Sequence, residues 1–237
     1  MKALFALIAR VDPSFAARAR GVAPVALADL EDAWGQPLPG AYRALFTEVV
    51  GDLPMFANAD LEFAPSQLVG HILDEHSVVQ GDRPAPDRFL PLAVVEDDAL
   101  FLDLAHPCGD DDARVVRVVD ACYDDAQTLA ASLRDWLMGA AFRRLVASRF
   151  ALATFMIWQA DTLDGCDGQA AAAVVARALG LEELAGTSPV LALHLGPDLA
   201  VTTHTDDDGL TVTLRATDRL RLTRALRAFT AGLPPRA

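Results

Sequence analysis

Three features of the sequence predict an α+β fold. Hydrophobic residues make up 52% of the 237, enough for one large core or two small ones. Helix-period apolar stripes crowd the first half of the chain. Strand-like runs arrive in groups of three, one between 89 and 121 and another after the alanine-rich helix. The expected architecture is a mostly antiparallel or mixed sheet flanked by helices over 1–160, followed by a small αβββα unit over 161–237.

The opening stretch MKALFALIARVDPSFAARA places Leu4, Leu7 and Ile8 on one helical face. Ala17-Arg18-Ala19 mimics a leader-peptidase site, but Arg10 and Asp12 cut the apolar run short, so a docking helix is preferred to an export signal. Leu27, Leu30 and Trp34 mark a second stripe stopped by Gly35. Pro39 opens the next one, which carries Tyr42, Leu45, Phe46 and Val49 up to Gly51. MFANADLEF (55–63) supplies one or two short strands. Pro65-Ser66 starts a helix whose stripe is Leu68, Val69, Ile72 and Leu73, and a Pro- and Asp-rich loop (81–88) follows. FLPLAVV (89–95), ALFLDLA (99–105) and RVVRVVDA (114–121) read as strands. Asp124 or Asp125 caps a helix carrying Leu129, Leu133, Trp136 and Leu137, and helical pattern runs on to about 160 through Phe142, Leu145 and Phe150. DTLDGCDGQ (161–169) marks the boundary. An alanine-rich helix (169–179) then ends at Gly180, and SPVLALHL, DLAVTTHT and GLTVTLRA form a meander turning at Gly196-Pro197 and Asp208-Gly209. The last helix, from about 217, turns Leu222, Leu226 and Phe229 inward and Arg221, Arg224 and Arg227 outward.

Between about 25 and 140 the order of these pieces carries a resemblance. A helix ending in Trp34-Gly35, then LPGAYRAL (38–45), RFLPLAVVEDDALFLDL (88–104) and LAASLRDWL (129–137) resembles the SUKH superfamily, which includes fungal cell-wall assembly regulators and many bacterial immunity proteins. Leu38, Pro39 and Tyr42 occupy its L-P-x-x-Y helix start; Phe89, Leu90 and Pro91 its apolar-Pro strand start. Phe101, Leu102, Asp103 and Leu104 occupy the second strand, and Leu133, Trp136 and Leu137 the closing helix. Val50-Gly51-Asp52 replaces the family's Asn-Gly, and Glu96-Asp97-Asp98 replaces a glycine-rich turn. The resemblance implies a non-catalytic module that binds proteins, with toxin neutralisation or scaffolding as its role. The C-terminal meander lies outside it.

Candidate chemistry is sparse. HILDEH (71–76) offers two histidines and two carboxylates, but i, i+5 spacing sets the rings about 140° apart around a helix. Asp74 also stands where an inverted zincin needs glutamate, so His71, Asp74 and Glu75 read as a solvated face and His76 as a last-turn residue at the helix dipole. No nucleophile elbow, P-loop, dinucleotide-binding or EF-hand pattern occurs. DTLDGCDG lacks calcium-loop spacing. His106, Cys108 and Cys122 tempt as zinc ligands, yet a hairpin of 99–105 with 114–121 would hold the two cysteines about 25 Å apart. His194 would oppose Leu199, not His204, and both histidines read as exposed or partly satisfied sheet residues. Three cysteines without a C-x-x-C pair fit reduced thiols in a cytosol.

Charge says more. The chain carries 20 basic and 33 acidic residues, net −13, which disfavours nucleic acid; the charge would steer a basic partner towards the chain, but on composition alone its first reading is that it keeps the protein soluble. No apolar run reaches membrane-spanning length. Residues 96–125 hold ten carboxylates against Arg114 and Arg117 alone. Aspartate is also a good turn former, so solvated turns compete with a binding surface. The partner-binding candidates are Glu96, Asp97, Asp98, Asp110, Asp111 and Asp112, with no catalytic residue, metal ligand or cofactor assigned. The reading is an immunity-type binding protein for a basic toxin domain such as a nuclease. A regulatory scaffold is second and an orphan hydrolase a distant third.

Overall fold

A computed structural model describes residues 1–49, 65–77, 88–95, 98–109, 111–119, 122–163, 167–184, 188–206 and 209–233. The fold is α+β, with two antiparallel sheets. The chain forms two compact units, Met1–Phe5 with Asp12–Leu137 and Ala6–Val11 with Met138–Ala237. The break thus follows Leu137, earlier than the boundary expected at 160. The reason is that 152–159, read from sequence as helical, is a strand of the second sheet. Among the described residues no helix is long and apolar enough to cross a membrane.

Helices α1 (Lys2–Ala9), α2 (Phe15–Arg18), α3 (Pro24–Trp34), α4 (Gly40–Glu48) and α5 (Pro65–Ser77) open the chain. Leu4, Leu7 and Ile8 of α1 are buried, as their stripe requires. Trp34 ends α3 because Gly35 takes up a left-handed conformation at φ 74° and donates its N–H to the Glu31 carbonyl. Pro39 is the N-cap of α4 and not its first residue. The first sheet runs β1 (Phe89–Val95), β2 (Asp98–Pro107), β3 (Ala113–Val119) and β4 (Gln127–Ala130) in chain order. One face holds Phe89, Phe101, Val116 and Val118, closed by Tyr123, whose ring stacks on Phe89 at 5.4 Å. Tyr42 is fully buried, and its hydroxyl donates to the Pro91 carbonyl at 2.7 Å, tying α4 to β1.

The expected helix from Asp124 starts later. A 3-10 turn (Tyr123–Asp125) leads into β4, so Leu129 is a strand residue, and α6 spans Leu133–Ala141. Its start is set by Ser132, whose hydroxyl accepts the Asp135 N–H at 3.0 Å. A π-turn (Phe142–Val146) and a 3-10 turn (Ala147–Arg149) then replace the expected helix continuation.

The second unit is larger than αβββα. Its five-stranded sheet has the order β5-β9-β8-β7-β6, built from β5 (Leu152–Gln159), β6 (Glu182–Glu183), β7 (Leu191–Leu195), β8 (Leu199–Asp206) and β9 (Gly209–Ala216). The expected meander is β7-β8-β9, with β5 and β6 added at the edges. Helices α7 (Gly168–Ala178) and α8 (Arg219–Gly232) start where Asp167 and Asp218 accept amides three residues ahead, at 2.9 and 2.8 Å. Val175, Ala176, Ala225 and Phe229 from these helices share a core with Met156, Trp158, Val201 and Leu210 from the strands.

Candidate functional site

The acidic hairpin tip between β2 and β3 is chiefly structural. Asp112 is 4% exposed, and its carboxylate accepts the N–H groups of Ala113, Leu133 and Arg134 at 2.8, 2.9 and 3.3 Å. Two of these donors are otherwise unsatisfied amides at the start of α6, so Asp112 caps a helix 21 residues away in sequence. Burial pushes its carboxyl pKa up, outweighing the three amides that favour the charged form. The Asp111 carbonyl accepts the Ala41 N–H at 2.8 Å, capping α4 in the same way. That close approach explains glycine at position 40, since a β-carbon there would lie 2.9 Å from Asp111 Cβ. The Asp111 carboxylate is exposed but forms a two-pronged pair with Arg134 at 3.0 and 2.7 Å, which holds it below the usual carboxylate range.

The six residues assigned to partner binding therefore separate. Asp112 is withdrawn from the surface and Asp111 is neutralised. Glu96, Asp97 and Asp110 lie outside the described residues, as does the Asp98 side chain at the start of β2. MFANADLEF and the side chains of His71, Asp74, Glu75 and His76 lie outside them too.

Asp103, which the sequence reading placed in the second strand of the resemblance and among the acids without giving it a role, is a buried ionic node at 0% exposure. Arg114, its cross-strand partner, donates through Nε and Nη2 at 3.0 and 2.6 Å. His106 Nδ1 lies 3.0 Å away, Arg88 Nε 3.7 Å away, and the Ala105 N–H donates at 3.2 Å. Burial pushes the carboxyl up, but Arg114, Arg88 and the Ala105 amide outweigh it and hold it below its ordinary range. With its oxygens this occupied, Asp103 is a structural counter-ion. The signal was legible: an aspartate inside FLDL must be paired if the strand is buried.

Cys108 and Cys122 are exposed, the first at the tip of the β2–β3 hairpin and the second beyond its opposite end. Among the described residues no group of three His, Cys, Asp or Glu side chains is placed to share a metal ion. In the second unit His194 pairs with Val201 and His204 with Leu191. His194 is not the exposed or partly satisfied residue expected. It is 0% exposed, and neither ring nitrogen has a hydrogen-bond partner. Paired residues share a sheet face, so the imidazole sits with Val201 beneath the helices.

An open surface with the composition of a binding site lies elsewhere in the first unit. Helices α3 and α5 enclose a groove of about 480 Å³. Ala26 and Ala33 of α3 and Pro65 and Val69 of α5 give it apolar walls, and Asp29 and Asp32 stand at its side. Both carboxylates are exposed, and among the described residues neither is ion-paired; Glu31 on the same helix instead pairs with Arg43. Val25, one residue before Ala26, is 66% exposed. Sequence reading missed the groove because neither helix shows it alone, and each aspartate looks like ordinary solvated surface.

Comparison with family models, curated proteins and solved structures finds no match.

Proposed function

We propose that the protein is a non-catalytic binding module that holds a cationic segment of another protein in the α3–α5 groove. The observation that carries this reading is the combination of apolar walls with two carboxylates that are not ion-paired among the described residues. Apolar walls reward burial of a side chain, while the carboxylates select a basic neighbour and repel acidic ones. The net charge of −13 adds long-range attraction towards the same class of partner.

The resemblance to immunity proteins of the SUKH superfamily supports a narrower version, in which the partner is a basic toxin domain such as a nuclease. The segments that carried the resemblance meet in space: Tyr42 of LPGAY bonds Pro91 of FLP, and Gly40 adjoins the hairpin tip that caps α6. Exposed thiols at Cys108 and Cys122 suit a reducing cytosol.

Affinity capture from the native host, with wild type and Asp29→Lys/Asp32→Lys as paired baits, tests the proposal. Wild type should recover a basic protein, inhibit its activity at equal stoichiometry, and lose it with the doubly reversed bait. Binding without inhibition would favour a scaffold. Equal capture by both baits would remove the groove from the account.

A further inference from the structure

The four outer strands of the two sheets are not equally protected. Unpaired sheet edges invite another strand, and natural proteins blunt them with shortness, charge, proline or bulges. β6 is two residues long and both are glutamate. β1 carries Pro91 and a register shift between Pro91 and Ala93. β4 has four residues, and its pairing with β3 is shifted between Val115 and Val116. β5 has none of these devices. Its eight residues, LATFMIWQ, include no charge and no proline, and they pair with β9 without a bulge. Among the described residues no strand lies on its other side. Phe155 and Ile157, on one face of it, are 67% and 50% exposed.

We propose that β5 pairs antiparallel with β5 of a second copy of this chain, joining two five-stranded sheets into one of ten strands across a twofold axis. Three properties of the strand select its own copy as the occupant. It is neutral in a chain of net charge −13, so its own residues add no repulsion when two copies approach along it. Its flanks have opposite charge: Arg149 precedes it and Asp161 follows it, both exposed and neither ion-paired among the described residues. Antiparallel self-pairing brings each Arg149 towards the Asp161 end of the other copy, twice by symmetry, whereas parallel pairing sets like charges together. Finally, the apolar pattern is self-complementary. With the axis at Met156, Phe155 of each copy faces Ile157 of the other on the open face, an aromatic against a β-branched residue.

Sedimentation equilibrium of the full chain tests the proposal, with the substitutions Phe155→Lys and Ile157→Lys combined in a second sample. Both side chains are exposed, so the variant should keep the wild-type circular dichroism spectrum and melting behaviour. Wild type should reach dimer mass at up to about 100 μM, and the variant should dimerise about tenfold more weakly or not at all. Spin labels at Ala153 should lie about 20 Å apart between copies, six residues at about 3.3 Å each. A monomeric wild type overturns the proposal, as does a dimer indifferent to the double substitution. A label separation far from this value overturns the antiparallel register. Should the variant fail to fold, the label distance decides alone.

Discussion

Asp111 and Asp112 are neighbours in the same acidic run, yet they differ in what their loss should cost. Asp112→Ala leaves the Ser132 cap in place but takes the acceptor from the buried Leu133 amide and the half-buried Arg134 amide at the start of α6, a loss of about 2 kcal/mol. Asp111→Asn removes only an exposed ion pair and should cost well under about 1 kcal/mol, because its helix-capping group is the backbone carbonyl. Urea denaturation of both variants checks the contrast, and equal costs would contradict the capping role. His194 provides a test by pH. Burial lowers its pKa, the charge of Arg177 lowers it further, and Glu183 opposes them. The folded state therefore binds the proton less well than the unfolded chain, so stability is full above about pH 6.5 and is lost as pH falls below that value. His194→Leu should flatten the stability profile between about pH 7 and 5. Asp103, whose pKa is lowered, loses its contribution only at more acidic pH, so the two windows are separate.

At the scale of elements, residues with an uninterrupted period were legible. Leu27, Leu30 and Trp34 gave α3, and the alternation in LAVTTHT and LTVTLRA gave β8 and β9. β4 was not legible, because QTLA is too short to alternate and sits beside a true helix stripe. β5 was hidden differently. Leu152, Phe155 and Trp158 recur at helical spacing, but the buried positions are Met156 and Trp158, at strand spacing. Pairing with β9, fifty or more residues later in the chain, decides between the two, and no local signal reports it. Leu129 and Leu133 separate the readings by experiment. A helix from Asp124 would bury both, whereas Leu129 is 36% exposed in β4 and Leu133 is fully buried in α6. Leu133→Ala should cost about 2–5 kcal/mol and Leu129→Ala less than about 1 kcal/mol. Comparable losses would restore the longer helix.

For the whole molecule, the acidic balance of the chain does not by itself locate a binding surface. Several carboxylates that produced the local charge excess are used internally: Asp103 by Arg114, Asp111 by Arg134, and Asp112 by the amides of α6. What distinguishes Asp29 and Asp32 is that, among the described residues, they stand without an ion pair beside apolar walls, a property of packing between α3 and α5 and not of composition. The most direct test of the groove as the binding site is stopped-flow association with the captured partner, for wild type and for Asp29→Lys/Asp32→Lys. Raising salt from about 0.01 to 0.15 M shortens the screening length from roughly 30 to 8 Å, so wild-type association should slow with it. The reversed variant should associate more slowly at low salt with a flatter salt response, and its dissociation should change less. Wild type and variant sharing one association rate and one salt slope would contradict the claim that the groove recruits a cationic protein.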